Sequence, residues 1–420
     1  MPRTDPIRPD GGPSNRREFL QRSAAAALVL SGGTTLAACG TTGTSASSGV
    51  NGIPLARPDR PVRLPISANN PAVASGLNHE PGPLNIYMSA DYINPKVVKA
   101  FNADLGVQTS ITPYISQDEA IAKFLSGKVS FDLLQLSTAN LTKMVAANLA
   151  QPLNHSYLSN FTTNIIPQLA SPFYDQGSQY TVPYTLYKIG IGYRTDHIKG
   201  TPDSYTNPYD IFWDAGYAKG KVGIYDDARD GISLALLRRQ VDLNTEDPKA
   251  IQTAKQDLLQ LESAVNLKIG YNDYQGLPKD DFWLHQAWAG NLIYAAHGLP
   301  PGVPTDVLGF FYPDKWGGEV GNDIWLVPRG AKNPVLAHAF LNFLYDEKQA
   351  LVNFTFVGFQ PPLKSITPQR LVSGGYVPKN LTSTVILPEE IANGKVVGAL
   401  TPKGDALWQD AWSAIKAGHA

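Results

Sequence analysis

Apolar and polar positions alternate along Leu84-Asn85-Ile86-Tyr87-Met88-Ser89 with the period of a strand. Val97, Val98, Ala100 and Phe101 then fall at helical spacing and stop near Gly106. The same beat returns twice. Val107 to Ile115 predicts a strand and Asp118 to Leu125 a helix; Phe131 to Leu136 predicts a strand and Leu141 to Leu149 the helix after it. Strands alternating with helices of about ten residues imply βαβ units on a mostly parallel sheet.

A second series begins after Tyr193. It holds a helix-like Pro208 to Gly216, a short strand ending at Ile224, helices over Ile232 to Val241 and Pro248 to Val265, and a strand predicted at Leu292 to Ala296. Asp323 to Pro328 follows as a strand, then helices from Pro334 to Tyr345 and Leu407 to Ile415. Two α/β series without a long linker between them predict two lobes packed across a cleft. No internal repeat is visible.

Between strand and helix in the second series lies Tyr225-Asp226-Asp227-Ala228-Arg229-Asp230-Gly231, which puts three carboxylates into five residues. A strand end that passes into a helix is where an open α/β sheet presents polar groups to a crevice. Asp-rich capping of an ordinary helix fits these residues as well as a cation site does. A calcium loop is excluded, because its third position is Ala228 and its twelfth is Leu237.

The N-terminus differs in kind. Paired Arg16 and Arg17, a short run of alanines and leucines to Leu30, and Leu36-Ala37-Ala38-Cys39 have the parts of an export signal. The paired arginines resemble a twin-arginine signal, and the last four residues resemble a lipobox in which Cys39 is lipidated. The stretch is too short and too polar for a comfortable transmembrane span. Residues 1–38 are therefore expected to be a signal peptide, and 39–83, rich in Ser, Thr, Gly and Pro, a lipidated flexible tether. The folded part would sit outside the cell membrane, held by its lipid. Cys39 is the only cysteine, so no internal disulfide or catalytic thiol is available to the rest of the chain.

Length and composition agree with sizeable cores: 420 residues, 43% hydrophobic and 10% aromatic. The formal charge of −1 supplies no bulk field for nucleic acid. No Gly-x-Ser-x-Gly elbow or His-Glu-x-x-His pair is present, and the seven histidines lack metal-ligand spacing. A non-enzymatic protein without cofactor or metal is expected, although a paired-carboxylate hydrolase stays open on sequence alone.

Ser89-Ala90-Asp91-Tyr92-Ile93-Asn94-Pro95, Phe131-Asp132-Leu133, Leu136-Ser137-Thr138, Val182-Pro183-Tyr184, Asp226 to Asp230, Asp323 and Phe340 to Leu344 occur in an order that resembles the spermidine/putrescine-binding family of ABC-importer solute-binding proteins. The resemblance implies a two-lobe periplasmic-binding-protein-like fold. It puts 84–190 with 323–369 in one lobe and 191–322 with 370–420 in the other, closing by hinge motion on a ligand for a membrane permease. It further implies a monomer that captures a polyamine. By position it assigns Asp227, Asp230 and Asp323 to ammonium groups, Tyr92 and Tyr294 to aromatic walls, and Ser137 to a cleft hydroxyl. Asp91 and Tyr187 are further candidates.

The chemistry is consistent with such a ligand. A polyamine is an apolar chain with charged ends, so each buried ammonium needs a carboxylate and the methylenes need aromatic faces. The chain departs from the family at Ser89, Ala139, Gly321 and Gly398, the first three being aromatic positions. Tyr184, Tyr187 and Trp325 are candidate replacement faces. Each cation–π contact is worth about 0.5–2 kcal/mol, so the losses leave room for another solute: a sugar, an amino compound or another organic cation.

Overall fold

The structure, a computed structural model, describes residues 49–418 apart from positions 115 and 128. The expected signal peptide, with Arg16, Arg17 and Cys39, lies outside the described residues.

A continuous sheet runs through the folded unit. Its strands are β1 (Leu84–Ser89), β2 (Thr109–Tyr114), β3 (Leu133–Ser137), β4 (Thr181–Arg194), β5 (Val222–Ile224), β6 (Lys268–Ile269), β7 (Leu284–Trp288), β8 (Leu308–Phe311) and β9 (Glu319–Pro328). The order is β2-β1-β3-β9-β4-β7-β5-β6, with β8 also on β4. Each end is parallel: β1 pairs with β2 and β3, and β5 with β6 and β7. The long β4 and β9 pair antiparallel to each other and to the inner strand of either end. Each lobe is thus a parallel triad joined to antiparallel crossing strands. Sequence periodicity missed this because β4, buried along most of its length, has no polar alternation to mark it.

Local signals set the helices. Asn94 caps α1 (Pro95–Leu105), accepting from the Lys96 amide at 3.0 Å, and Gly106 ends it at φ 68°. Apolar faces of α4 (Ala228–Arg238), α5 (Pro248–Val265) and α9 (Pro402–Gly418) meet around Phe212, Ile224 and Leu258. Phe101, Trp325 and Phe340 belong to a second core, and Tyr87, Tyr114 and Leu134 to a third.

Two expectations need correction. Leu292 to Ala296 is not a strand; it lies in helix α6 (Ala289–His297), and the strand is the preceding β7. Leu292, Ile293 and Ala295 are all buried, and an apolar run this short has no period to tell helix from strand.

The second concerns 49–83, expected as tether, which is a packed strap. Val62 and Leu64 are buried in the Tyr87 core, the Val62 amide donates to the Phe173 carbonyl at 2.8 Å, and the Tyr180 hydroxyl donates to the Pro65 carbonyl at 2.6 Å. Val50 and Leu55 pack with Ala399. Prolines lower the entropy that such a strap loses on docking, so a Pro-rich segment with a few apolar residues can fold down with little regular structure beyond the two-stranded pair of Gly49–Val50 with Ile53–Pro54.

Candidate functional site

Carboxyl ends of β1, β3, β5 and β7 point towards one crevice, the usual place for a ligand in an open α/β sheet. A cavity of about 280 Å³ lies there, and Tyr92, Asp91, Ser137, Tyr187, Asp227, Asp230, Tyr294 and Asp323 all line it. The sequence candidates of the folded part are therefore brought together.

Asp323 lies where β9 is irregular: its register against β4 shifts between Asn322 and Ile324, while Asp323 stays opposite Ser137 of β3. Such a bulge re-aims a side chain. The Tyr92 hydroxyl donates to Asp323 Oδ2 at 2.6 Å and lies 2.6 Å from Thr185 Oγ1. Burial pushes the Asp323 carboxyl up to about 7, with the Tyr92 hydrogen bond opposing. Tyr92 itself is buried edge-on against Tyr184 and Phe359, so it orients Asp323 more than it offers a stacking face.

Asp227 is the N-cap of α4. Its Oδ1 accepts from the Arg229 and Asp230 amides at 2.7 and 3.2 Å, so capping and cleft lining coexist in one side chain. Burial raises the Asp227 and Asp230 carboxyls, and neighbouring Asp227, Glu319 and Asp323 raise Asp230 further while Arg229 opposes. Arg229 is held by the Gly398 and Leu243 carbonyls, both at 2.9 Å, and by Asn244 Oδ1 at 3.1 Å.

The aromatic side of the cleft is built differently from expectation. Trp288, at the end of β7, stacks on Tyr225 with centroids 3.9 Å apart. Its amide donates to the Tyr225 hydroxyl at 2.6 Å, which donates to Asp273 Oδ2 at 2.9 Å. Asn291 also donates to Asp273, whose burial raises it to about 7. Trp288, Tyr271, Tyr274 and Phe359 line the cavity with Tyr294 and Tyr187. Tyr184 and Trp325, candidate faces in the sequence, are core residues behind the wall, with centroids 4.9 Å apart. At Gly321 an added Cβ would lie 2.6 Å from the Tyr187 hydroxyl, so the missing side chain there makes room for Tyr187.

Sequence reasoning missed Trp288, Glu319 and the buried Gln135, whose Oε1 accepts from the Ser89 amide, the Ser89 hydroxyl and the Tyr114 hydroxyl at 3.2, 3.2 and 2.7 Å. The placing of a strand at 292–296 concealed Trp288. Glu319 had a usable signal, since Glu319, Gly321 and Asp323 sit at alternate positions of one strand. Among the described residues no group of three or more His, Cys, Asp and Glu could hold a metal ion.

Two α/β lobes sharing crossing strands, with an acidic and aromatic cleft between them, define a solute-binding protein. The profile of bacterial extracellular solute-binding proteins matches residues 96–374, and the chain belongs to that family. It is 27% identical over 330 residues to the spermidine/putrescine-binding periplasmic protein of Escherichia coli (strain K12), covering 78% of this chain and 86% of the relative. To the putrescine-binding periplasmic protein PotF of the same organism it is 26% identical over 367 residues, covering 83% and 95%. A lipoprotein of Treponema pallidum has a similar structure, with TM-score 0.67 at 21% identity over 79% of this chain and 98% of that one. Among the described residues no helix is long and apolar enough to cross a membrane.

Proposed function

We propose that this protein is the substrate-binding lipoprotein of an ABC importer, capturing a polyamine in the cleft and delivering it to a membrane permease. The observation that carries this reading is the charge of the cleft. Asp227, Asp230, Glu319 and Asp323 line it with raised affinity for protons, and among the described residues Arg229 is the one lining cation held without a carboxylate ion pair, since Lys143 pairs with Asp405 at 2.9 Å. An ammonium ligand supplies the missing positive charge, and Trp288, Tyr271 and Tyr294 cover its methylenes. A neutral sugar brings no charge to these carboxylates, which would then keep their protons. The names of the curated relatives support the same ligand class.

The residues assigned to ligand are Asp227, Asp230, Asp323, Tyr92, Tyr294 and Ser137, with Asp91 and Tyr187 at the rim and wall. Lobe one takes 84–190 and 323–369, lobe two 191–322 and 370–420; β4 and β9 running through the junctions support a hinge there. Export through Arg16 and Arg17, lipidation at Cys39 and a monomeric state complete the proposal, the first two supported by the N-terminal sequence.

Calorimetry with putrescine, spermidine, glycine betaine and sugars tests it. Polyamine binding that is lost in Asp323→Asn is expected. A sugar response with silence for every amine would overturn the polyamine assignment and leave the family membership standing.

A further inference from the structure

Glu319 is 1% exposed, lines the cleft, and has no hydrogen-bond partner at either carboxylate oxygen. That is an expensive state for an acid with no task, because an unpaired buried carboxyl keeps its full desolvation cost. Its backbone pairs with Ile189 of β4 and bridges to Lys395, but the Lys395 side chain lies against Gly317. The titratable groups within electrostatic reach are Arg229, Asp227 and Asp230 from the start of α4, Tyr187 from β4, and Tyr209 and Tyr312. Tyr209 is itself buried without a partner at its hydroxyl, and the Tyr312 hydroxyl donates to the Gly318 carbonyl at 3.0 Å. Arg229 commits both terminal nitrogens to carbonyls and Asn244, leaving its buried Nε without a partner and its charge as the one that opposes the rise of Glu319.

We propose that Glu319 is a further cation-reading carboxylate of the cleft, and that it favours ligands with three ammonium groups over ligands with two. This rests on the polyamine reading above. Asp91 and Asp118 also line the cleft but are exposed to solvent, and Lys143 is paired with Asp405; deeper in, Asp227, Asp230, Glu319 and Asp323 ionised together carry four negative charges against the positive charge of Arg229, a balance that a trication meets. A dication leaves one carboxylate without a counter-charge, and that group must keep its proton. In the empty cleft protons serve instead, since burial holds Glu319 at about 8 with Arg229 opposing. Trication binding therefore releases the Glu319 proton to solvent, and dication binding does not.

The test is titration calorimetry on the full chain and on Glu319→Gln with spermidine and putrescine, in buffers of differing ionisation enthalpy near pH 7. The variant loses no hydrogen bond, so its unfolding midpoint without ligand is expected to match or exceed that of the parent. Expected is a loss of spermidine affinity of about tenfold or more, a change of less than about threefold for putrescine, and one fewer proton released on spermidine binding. Equal effects on both amines, or on neither, would overturn the role of Glu319 while leaving the polyamine reading intact. If the parent binds neither amine, both proposals fall.

Discussion

Asp323 is placed where its charge is unfavourable without a ligand. Its folded pKa of about 7 stands above the ordinary aspartate value of about 3.9, so the native state holds a proton that the unfolded chain has released. Stability of the empty protein is therefore lost as pH rises through that interval. Asp323→Asn removes the effect and keeps an oxygen to accept from Tyr92. Its unfolding midpoint is expected to exceed the parent's at pH 8 and converge with it near pH 4. The same substitution should cost polyamine binding about 2–5 kcal/mol, because a buried ammonium is left unpaired. A midpoint gap that is unchanged from pH 4 to pH 8 would show that the carboxyl is not raised. Gly321 makes a different point. A methyl group there meets the far end of Tyr187 at 2.6 Å, and Gly321→Ala is expected to destabilise by about 1–3 kcal/mol, as overpacking does. Ligand affinity should fall with it, since Tyr187 lines the cleft. Unchanged melting and binding would mean that Tyr187 swings clear at no cost.

At the scale of elements, α4 combines two tasks at one residue. Asp227 caps the helix and lines the cleft, and two substitutions separate these roles. Asp227→Ser retains a good cap without the charge, so stability is expected to stay within about 0.5 kcal/mol of the parent while polyamine affinity drops. Asp227→Ala should lose the cap as well, costing a further 0.5–2 kcal/mol or so in chemical denaturation. If Ser and Ala variants bind as the parent does, Asp227 is a cap alone. The ambiguity was inherent in the sequence, where an acidic helix start signals both uses. Much of the fold was legible for a similar reason: α1 and α5 carry apolar spacing with an Asn or Asp cap before a proline. What escaped had no readable period. Strand β4 is buried along most of its length and the apolar run in helix α6 is too short to set one, and with α6 read as a strand the ring of Trp288 had no place at the cleft. Glu319 escaped because desolvation depends on neighbours far along the chain, Arg229 and Tyr187 among them. The strap was misread because Pro and Gly content marks lack of regular structure, not lack of packing.

For the molecule as a whole, the function proposed above requires closure to be held by contacts that a ligand adds to and a permease breaks. Lys143 of helix α3 (Leu141–Ala146) reaches Asp405 of α9 at 2.9 Å, and Gln409 of α9 donates to Asp118 Oδ2 at 3.2 Å. Arg57 of the strap donates to the Ala399 carbonyl at 3.0 Å. Lys143 and Asp405 stay about a third exposed at 27% and 31%, so the pair contributes at most about 1 kcal/mol and is screened by salt. Lys143→Ala acts on two rates at once. Losing a cation at the cleft mouth makes the approach more negative and speeds polyamine association at low salt. Losing the tie makes opening easier, so dissociation should also rise, by up to about fivefold for a pair worth 1 kcal/mol. The equilibrium constant would hide both changes; stopped-flow rates would resolve them. High salt should erase the dissociation difference, because screening weakens the same pair in the parent. A dissociation rate that is equal in both proteins at low salt would assign closure to the ligand's own contacts and leave Lys143 acting on approach alone.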